Sequence, residues 1–183
     1  TNQWFFSSSS KLKSTALSTL DKVKFNNEDD KEKFQLALSR NSFDWCISRQ
    51  RTWGIPIPVL YWRNSEEVFF NDLVFDKIIS VFQKEGFDCW WRCDVDHFLP
   101  DCYQHLKNDL CKGQDIFDVW FDSGLAWHQL DTMADLVVEG SDQFRGWFQS
   151  LLLTWLGSEK EGPPFKQLLS HGFINDSEGK KMS

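Results

Sequence analysis

The run Glu139-Gly-Ser-Asp-Gln143 gathers two carboxylates, an amide and a hydroxyl into five residues. An apolar triplet, residues 136–138, precedes it, and a helical pattern starts at Phe144. In an open parallel sheet, the turn that follows a strand faces a crevice where ligands bind. Carboxylates accept hydrogen bonds, and an amide both accepts and donates, so this turn suits a ligand carrying hydroxyls and an ammonium group. A second dense stretch, Asp118-Val-Trp-Phe-Asp-Ser-Gly124, mixes acids with aromatic residues, and His171-Gly172 follows further on. Arg49 and Arg51 flank Gln50 between Trp45 and Trp53. Arginine recognises anions through two parallel N–H groups, so a phosphate or acidic partner is one reading, and a loop packed on aromatics with solvated arginines is the other. Glu139 and Asp142 have a purely structural reading as carboxylates at a helix amino terminus. Trp147 has one as core, and His171 as a hydrogen-bonded structural histidine.

The elements that must position these groups follow from periodicity. Leu12, Ala16, Leu17 and Leu20 predict a helix over residues 11–23, and Phe34, Leu36, Ala37 and Leu38 predict a second short one. The charged residues 26–33 between them read as an exposed loop. Gly54, Pro56 and Pro58 force an extended path into a strand at 59–62. A hairpin-like piece at 67–70 leads to a helix on Leu73, Phe75, Ile78, Ile79 and Phe82, closed by Gly86. Residues 116–121 read as a strand ended by a turn at Asp122-Ser-Gly124. After the strand at 136–138, Phe144, Trp147, Phe148, Leu151, Leu152 and Trp155 mark a helix stopped by Gly157. A third strand candidate covers 167–174, interrupted at His171-Gly172, and a turn follows at 175–179. Strand, helix, strand at these lengths predicts a right-handed βαβ unit and an α/β fold. Residues 63–114, with no acid/base pair or phosphate loop, read as an insertion, and the Trp90-Trp91 pair as packing.

The chain has 183 residues, a formal net charge of −7, 41% hydrophobic and 26% charged residues. That balance suits a globular domain rather than disorder. The negative charge argues against this segment alone being a general nucleic-acid binder, because phosphate contacts need concentrated Lys and Arg. It leaves RNA contact by a larger protein open. Ten Trp and seventeen Phe permit a heavy core or a planar ligand. No apolar run is long enough to predict a membrane span, so no membrane partner is expected. The five cysteines, an odd number, suggest reduced thiols. Cys89, Cys93, Cys102 and Cys111 lie near His97 and His105, but gaps of three, eight and eight residues lack the close pairs of a zinc knuckle, so no metal is expected. A start at Thr1 and an end in Lys180-Lys-Met-Ser183 read as a piece of a larger polypeptide.

Taken together, the stretch 44–54, Asp118-Val-Trp-Phe-Asp-Ser-Gly124, Glu139-Gly-Ser-Asp-Gln143 with Arg145-Gly-Trp-Phe148, His171-Gly-Phe173 and the terminal Lys-Met-Ser resemble class I aminoacyl-tRNA synthetases, and within them isoleucyl-tRNA synthetase. Valyl-tRNA synthetase shares the core at 45–50 but normally departs where this chain keeps Arg51-Thr-Trp-Gly54 and Asp122-Ser-Gly124. The resemblance implies the carboxyl-side half of a Rossmann-type catalytic domain. Residues 1–62 would be re-entry from an editing domain and the start of that half, 63–114 a connective insertion, and 115–183 the rest up to the Lys-Met-Ser loop. It implies ATP-dependent activation of L-isoleucine, with Mg2+, and transfer to tRNA(Ile) by a monomer. Glu139, Gly140, Asp142, Gln143, His171 and Gly172 would bind the adenylate, Trp120 and Trp147 would wall the amino-acid pocket, and Lys181 would stabilise pyrophosphate as a catalytic group. The family's ATP-phosphate motif and second signature lysine are not among these residues, so this segment alone is expected to be inactive. The short link before Asp135 and Gln114-Asp-Ile look like the bacterial and mitochondrial branch, which implies the mitochondrial matrix, with the cytoplasm as alternative. Valyl-tRNA synthetase and a non-catalytic tRNA-binding relative are the rival readings.

Overall fold

The computed structural model describes residues 2–7, 9–40, 44–130 and 132–182; Ser183, the last residue of the Lys-Met-Ser motif, lies outside them. The elements run β1 (Phe5–Phe6), α1 (Ser10–Thr19), β2 (Lys24–Phe25), α2 (Glu28–Arg40), β3 (Trp45–Cys46), β4 (Ser48–Arg49), β5 (Leu60–Trp62) and β6 (Val68–Phe69). They continue with α3 (Asp72–Glu85), α4 (Cys89–Arg92), β7 (Leu110–Lys112), β8 (Ile116–Phe117), α5 (Val119–Gly124), β9 (Ala134–Gly140), α6 (Trp147–Gly157) and β10 (Phe165–His171). The chain divides into two compact units, one of Thr1–Ile47 with Asp118–Ser183 and one of Ser48–Phe117. Among the described residues, no helix is long and apolar enough to cross a membrane.

The first unit is built on a parallel sheet ordered β2-β10-β9. Strand, helix, strand arises as expected, with α6 linking β9 to β10. One face of the sheet is covered by α1, α2 and α6, whose Ala16, Phe34, Phe148 and Leu152 join Phe165 and Leu168 in the core. The sequence of α6 is apolar almost all round, and two of its polar residues are buried with partners. Thr154 Oγ1 donates to the Gly124 carbonyl at 2.6 Å and accepts from Trp127 Nε1 at 3.1 Å, while Ser150 Oγ donates to Trp147 O. On β9, Val137 points into this core while Leu136 and Val138 are each 47% exposed.

Four boundaries differ from the sequence reading. The charged residues 26–33 are not a loop, for α2 is one helix from Glu28 to Arg40. Asn27 Oδ1 accepts the Asp29 N–H at 3.1 Å, and Glu28, Asp29 and Asp30 in the first turn are favoured by the positive end of the helix. The strand expected over 116–121 stops after Phe117, and the expected turn at Asp122 is helical. Asp118 is the cause, because its carboxylate caps α5 by accepting the Trp120 N–H at 3.1 Å. Finally, α6 begins at Trp147 rather than Phe144; residues 141–145 form a 3-10 turn, and Gly146 separates the two with φ −126° and ψ −116°. The third strand also lies earlier than expected, at 165–171 rather than 167–174.

The second unit pairs β6, β5 and β7 as an antiparallel sheet, and β4 with β8 as a separate antiparallel pair. Asn71 Oδ1 caps α3 by accepting from Leu73 N and Val74 N, and Gly86, at φ 77°, ends it. Val74, Ile78, Trp90, Phe98 and Leu110 fill its core. Trp90 is fully buried and donates Nε1–H to Gly113 O at 3.0 Å, whereas Trp91 is exposed. The insertion expected at 63–114 falls inside this unit.

Candidate functional site

The chemistry-bearing residues of the first unit meet at the carboxyl ends of β9 and β10. Parallel register sets Glu139 beside Ser170 and Gly140 beside His171. Each strand therefore delivers its polar end to the same edge, where a ligand in an α/β fold is bound. Gly140 is needed for the next step of the chain. A β-carbon there would stand 2.6 Å from Asp142 Oδ1, and 4.0 Å from His171 Cε1, so the bare backbone lets Asp142 fold over the strand end. Glu139 is exposed at this edge, with Oε2 3.4 Å from the Gly140 N–H. Ser170, next to His171, is fixed from the other side, since its Oγ donates to Asp30 Oδ2 at 2.6 Å and its N–H to Asn26 Oδ1 at 3.1 Å.

Gln143 ties this edge to α6. Its Nε2 donates to Asp142 Oδ2 at 3.2 Å, and its Oε1 accepts the Trp147 N–H at 3.0 Å, satisfying a donor of the first helical turn. Trp147 donates Nε1–H to Ser123 O at 3.0 Å, locking its ring against α5. Trp120, also on α5, approaches the same spot, for a β-carbon on Gly146 would lie 3.5 Å from its Cη2. Trp120 is 44% exposed, so one indole is open to solvent while the other is half-buried. On the α2 side of the turn, Lys33, Leu36, Ser141, Asp142 and Arg145 line an open cleft of about 230 Å³.

The expected site residues are not all gathered. His171 is exposed and its Nδ1 lies 2.7 Å from Gly172 O, while Gly172 has open space around it. Lys181 sits on a small loop closed by a bridge between Asn175 and Lys181 and by Met182 N–H to Ile174 O at 2.9 Å. Its Nζ lies 3.7 Å from the Phe173 ring centroid, and none of its described contacts reaches 139–143. Arg49 belongs to the second unit, where its guanidinium donates to Ser48 O at 2.8 Å.

Sequence reasoning does not single out Asp118 and Asp122 as site residues, although their four-residue spacing places them on one side of α5. Asp118 is buried and accepts from Trp45 Nε1 at 3.1 Å as well as from Trp120 N. Burial, with the Asp118 carboxylate adding to it, pushes the Asp122 carboxyl up to about 6. An acid one residue from Ser123, which anchors Trp147, thus titrates close to neutrality.

This edge sets an acid-amide turn on the strands beside two indoles on the adjoining helices. A family model described as tRNA synthetases class I (I, L, M and V) matches residues 1–183, and the chain belongs to that family. Curated relatives include an Isoleucine--tRNA ligase of Prochlorococcus marinus strain MIT 9312, 44% identical over 191 residues and covering 100% of this chain. The corresponding ligase of strain NATL1A is 44% identical over 190 residues. In both cases the match covers 19% of the relative, so the chain spans about a fifth of their length. Among solved structures, the LeuRS of a ternary complex with tRNA and LeuAMS, agnB2 of Agrobacterium radiobacter K84, superposes with a TM-score of 0.54 at 19% identity, over 77% of this chain and 20% of that one. That likeness shows a shared fold.

Proposed function

We propose that this chain is the carboxyl-side half of the catalytic domain of an isoleucine–tRNA ligase, which joins isoleucine to ATP and passes the aminoacyl group to tRNA(Ile). The observation that carries the reading is the register of Glu139-Gly140 against Ser170-His171 at one sheet edge, beside Trp120 and Trp147. The relatives named as isoleucine–tRNA ligases support the choice of amino acid, and the LeuRS complex supports tRNA and an adenylate as ligand classes.

In the first step an isoleucine carboxylate oxygen attacks the α-phosphorus of ATP, and pyrophosphate leaves. No protein nucleophile is needed, so catalysis is positioning plus neutralisation of developing negative charge. Glu139 and the Gly140 backbone would hold the adenylate at the strand end. Asp142 and Gln143 would take ribose hydroxyls or the isoleucine ammonium, since a carboxylate and an amide can accept from both. His171 and Gly172 would flank the nucleotide, and Lys181 would leave Phe173 to meet the departing pyrophosphate. The carboxylate oxygens of Glu139 and Asp142 are donors of the type Mg2+ takes, and the ion would neutralise the ATP phosphates. Trp120 and Trp147 would bound the side-chain pocket by shape. Shape alone separates isoleucine from valine poorly, one methylene being worth about 1–3 kcal/mol, a general figure for which this class of enzyme is itself the usual example.

Membership of the bacterial and mitochondrial branch, and through it a place in the mitochondrial matrix or alternatively the cytoplasm, rests on the short link before Asp135 and on Gln114-Asp-Ile. The full-length protein is expected to charge tRNA(Ile) with isoleucine, while the 183-residue chain by itself gives no isoleucine-dependent ATP–pyrophosphate exchange. Preferential charging of tRNA(Val) would refute the assignment to isoleucine, and exchange by the isolated chain would refute its incompleteness.

A further inference from the structure

Glu85, Cys89, Cys93 and His97 recur at every fourth residue. On one continuous helix the first and last would lie about 18 Å apart, at about 1.5 Å per residue. The chain does not continue as one helix. Gly86, with φ 77°, ends α3, the single turn of α4 follows, and a 3-10 turn begins at Val95. These reversals return His97 to Glu85, with Nε2 at 3.1 and 3.2 Å from the two carboxylate oxygens. Cys93 joins them, so that one ligand atom from each of Glu85, Cys93 and His97 lies within 4.8 Å of the other two.

We propose that Glu85, Cys93 and His97 form a zinc site in the second unit. An imidazole, a thiolate and a carboxylate together are the donors of borderline-soft Zn2+, whereas Mg2+ and Ca2+ take oxygen alone. Bonds of about 2.0–2.3 Å at tetrahedral angles put ligand atoms about 3.3–3.7 Å apart. The His97–Glu85 pair already meets that spacing, and Cys93 needs only a side-chain adjustment. Binding releases the thiol proton to solvent, and water fills the fourth position.

The three ligands hang from pinned backbone. Cys93 N–H donates to Cys89 O at 2.9 Å, and the Cys93 carbonyl accepts from the Lys112 ammonium. Phe98, next to His97, is fully buried with its ring 4.9 Å from that of Trp90. The ion would staple the end of α3 to the segment that follows α4. If Glu85 and His97 form only an ion pair, Cys93 has no part in it, and this separates the two readings.

The test uses the full-length protein, stripped with a chelator and titrated with Zn2+ against a chromophoric competitor, then with Co2+ followed by absorption. Wild type is expected to bind one zinc equivalent more than Cys93→Ser, or to bind that equivalent at least about tenfold more tightly than Cys93→Ser and His97→Gln. The thiolate-to-cobalt charge-transfer band should vanish in Cys93→Ser and persist in Cys102→Ser, an exposed cysteine outside the cluster. Circular dichroism identifies any variant that has lost its fold, and Glu85→Gln then supplies the same comparison. Equal zinc stoichiometry and affinity in wild type and folded Cys93→Ser, or a band that survives that substitution, overturns the site.

Discussion

Asp122 shows how a half-buried acid next to a buried one changes what a helix can do. Its carboxyl is raised to about 6 by burial first and by Asp118 second. Between the ordinary carboxylate value of 3.8 and about 6, the folded chain holds a proton that the unfolded chain has released. Stability therefore falls as pH rises through that window, the stabilisation being complete below it. Two pK units at full burial would be worth about 3 kcal/mol, and partial exposure to solvent reduces this to on the order of 1 kcal/mol. Asp122→Asn is expected to remove the slope and to gain about that amount at pH 7. Urea unfolding at pH 4.5 and pH 7 measures it; a slope unchanged in the variant contradicts the assignment. At this scale the sequence is legible in part. Glu139 to Gln143 stand out by composition alone, whereas the raised pKa of Asp122 depends first on its own burial and then on the neighbouring Asp118 carboxylate, neither of which sequence spacing reveals.

Between elements, the close fit of α5 and α6 decides where the two indoles stand. A β-carbon on Gly124 would lie 2.9 Å from the Ser150 carbonyl oxygen, a backbone atom that cannot swing aside. Gly124→Ala should thus push the helices apart and cost about 1–3 kcal/mol, measured as a lower urea midpoint with an unchanged m-value. A neutral result would mean that the two helices are not held at this distance. The elements themselves are unevenly legible. The βαβ unit and α3 carry long periodic patterns with glycine stops, and the structure keeps them. Residues 116–121 look like a strand because they are apolar and aromatic, yet a single capping carboxylate at Asp118 turns them into a helix. Residues 26–33 look like a loop because they are charged, and the feature that marks them as helical is the run of acids behind Asn27. The Glu85, Cys93 and His97 cluster escapes any rule based on linear spacing, because the chain reverses at Gly86 to assemble it.

At the scale of the whole molecule, the core of the first unit, as far as the described residues go, packs α1, α2 and α6 on one face of the parallel sheet. Leu136 and Val138 on β9 are each 47% exposed, and β9 is the edge strand. Parallel sheets are normally buried on both faces. That bare surface, with the chain spanning 19% of its relatives' length, is what a half-site would present to the remainder of a catalytic domain. The amino-acid and sugar side of the proposed adenylate site would then be supplied here, and the groups for the ATP phosphates elsewhere. The central claim is that the edge formed by Glu139 and His171 holds that adenylate. The direct measurement is isoleucine-dependent ATP–pyrophosphate exchange by the full-length protein, wild type against Glu139→Ala, with thermal melts to verify the fold. A loss of about 100-fold in exchange with an unchanged melt is expected for a contact to the reacting adenylate. Exchange within twofold of wild type would contradict the account.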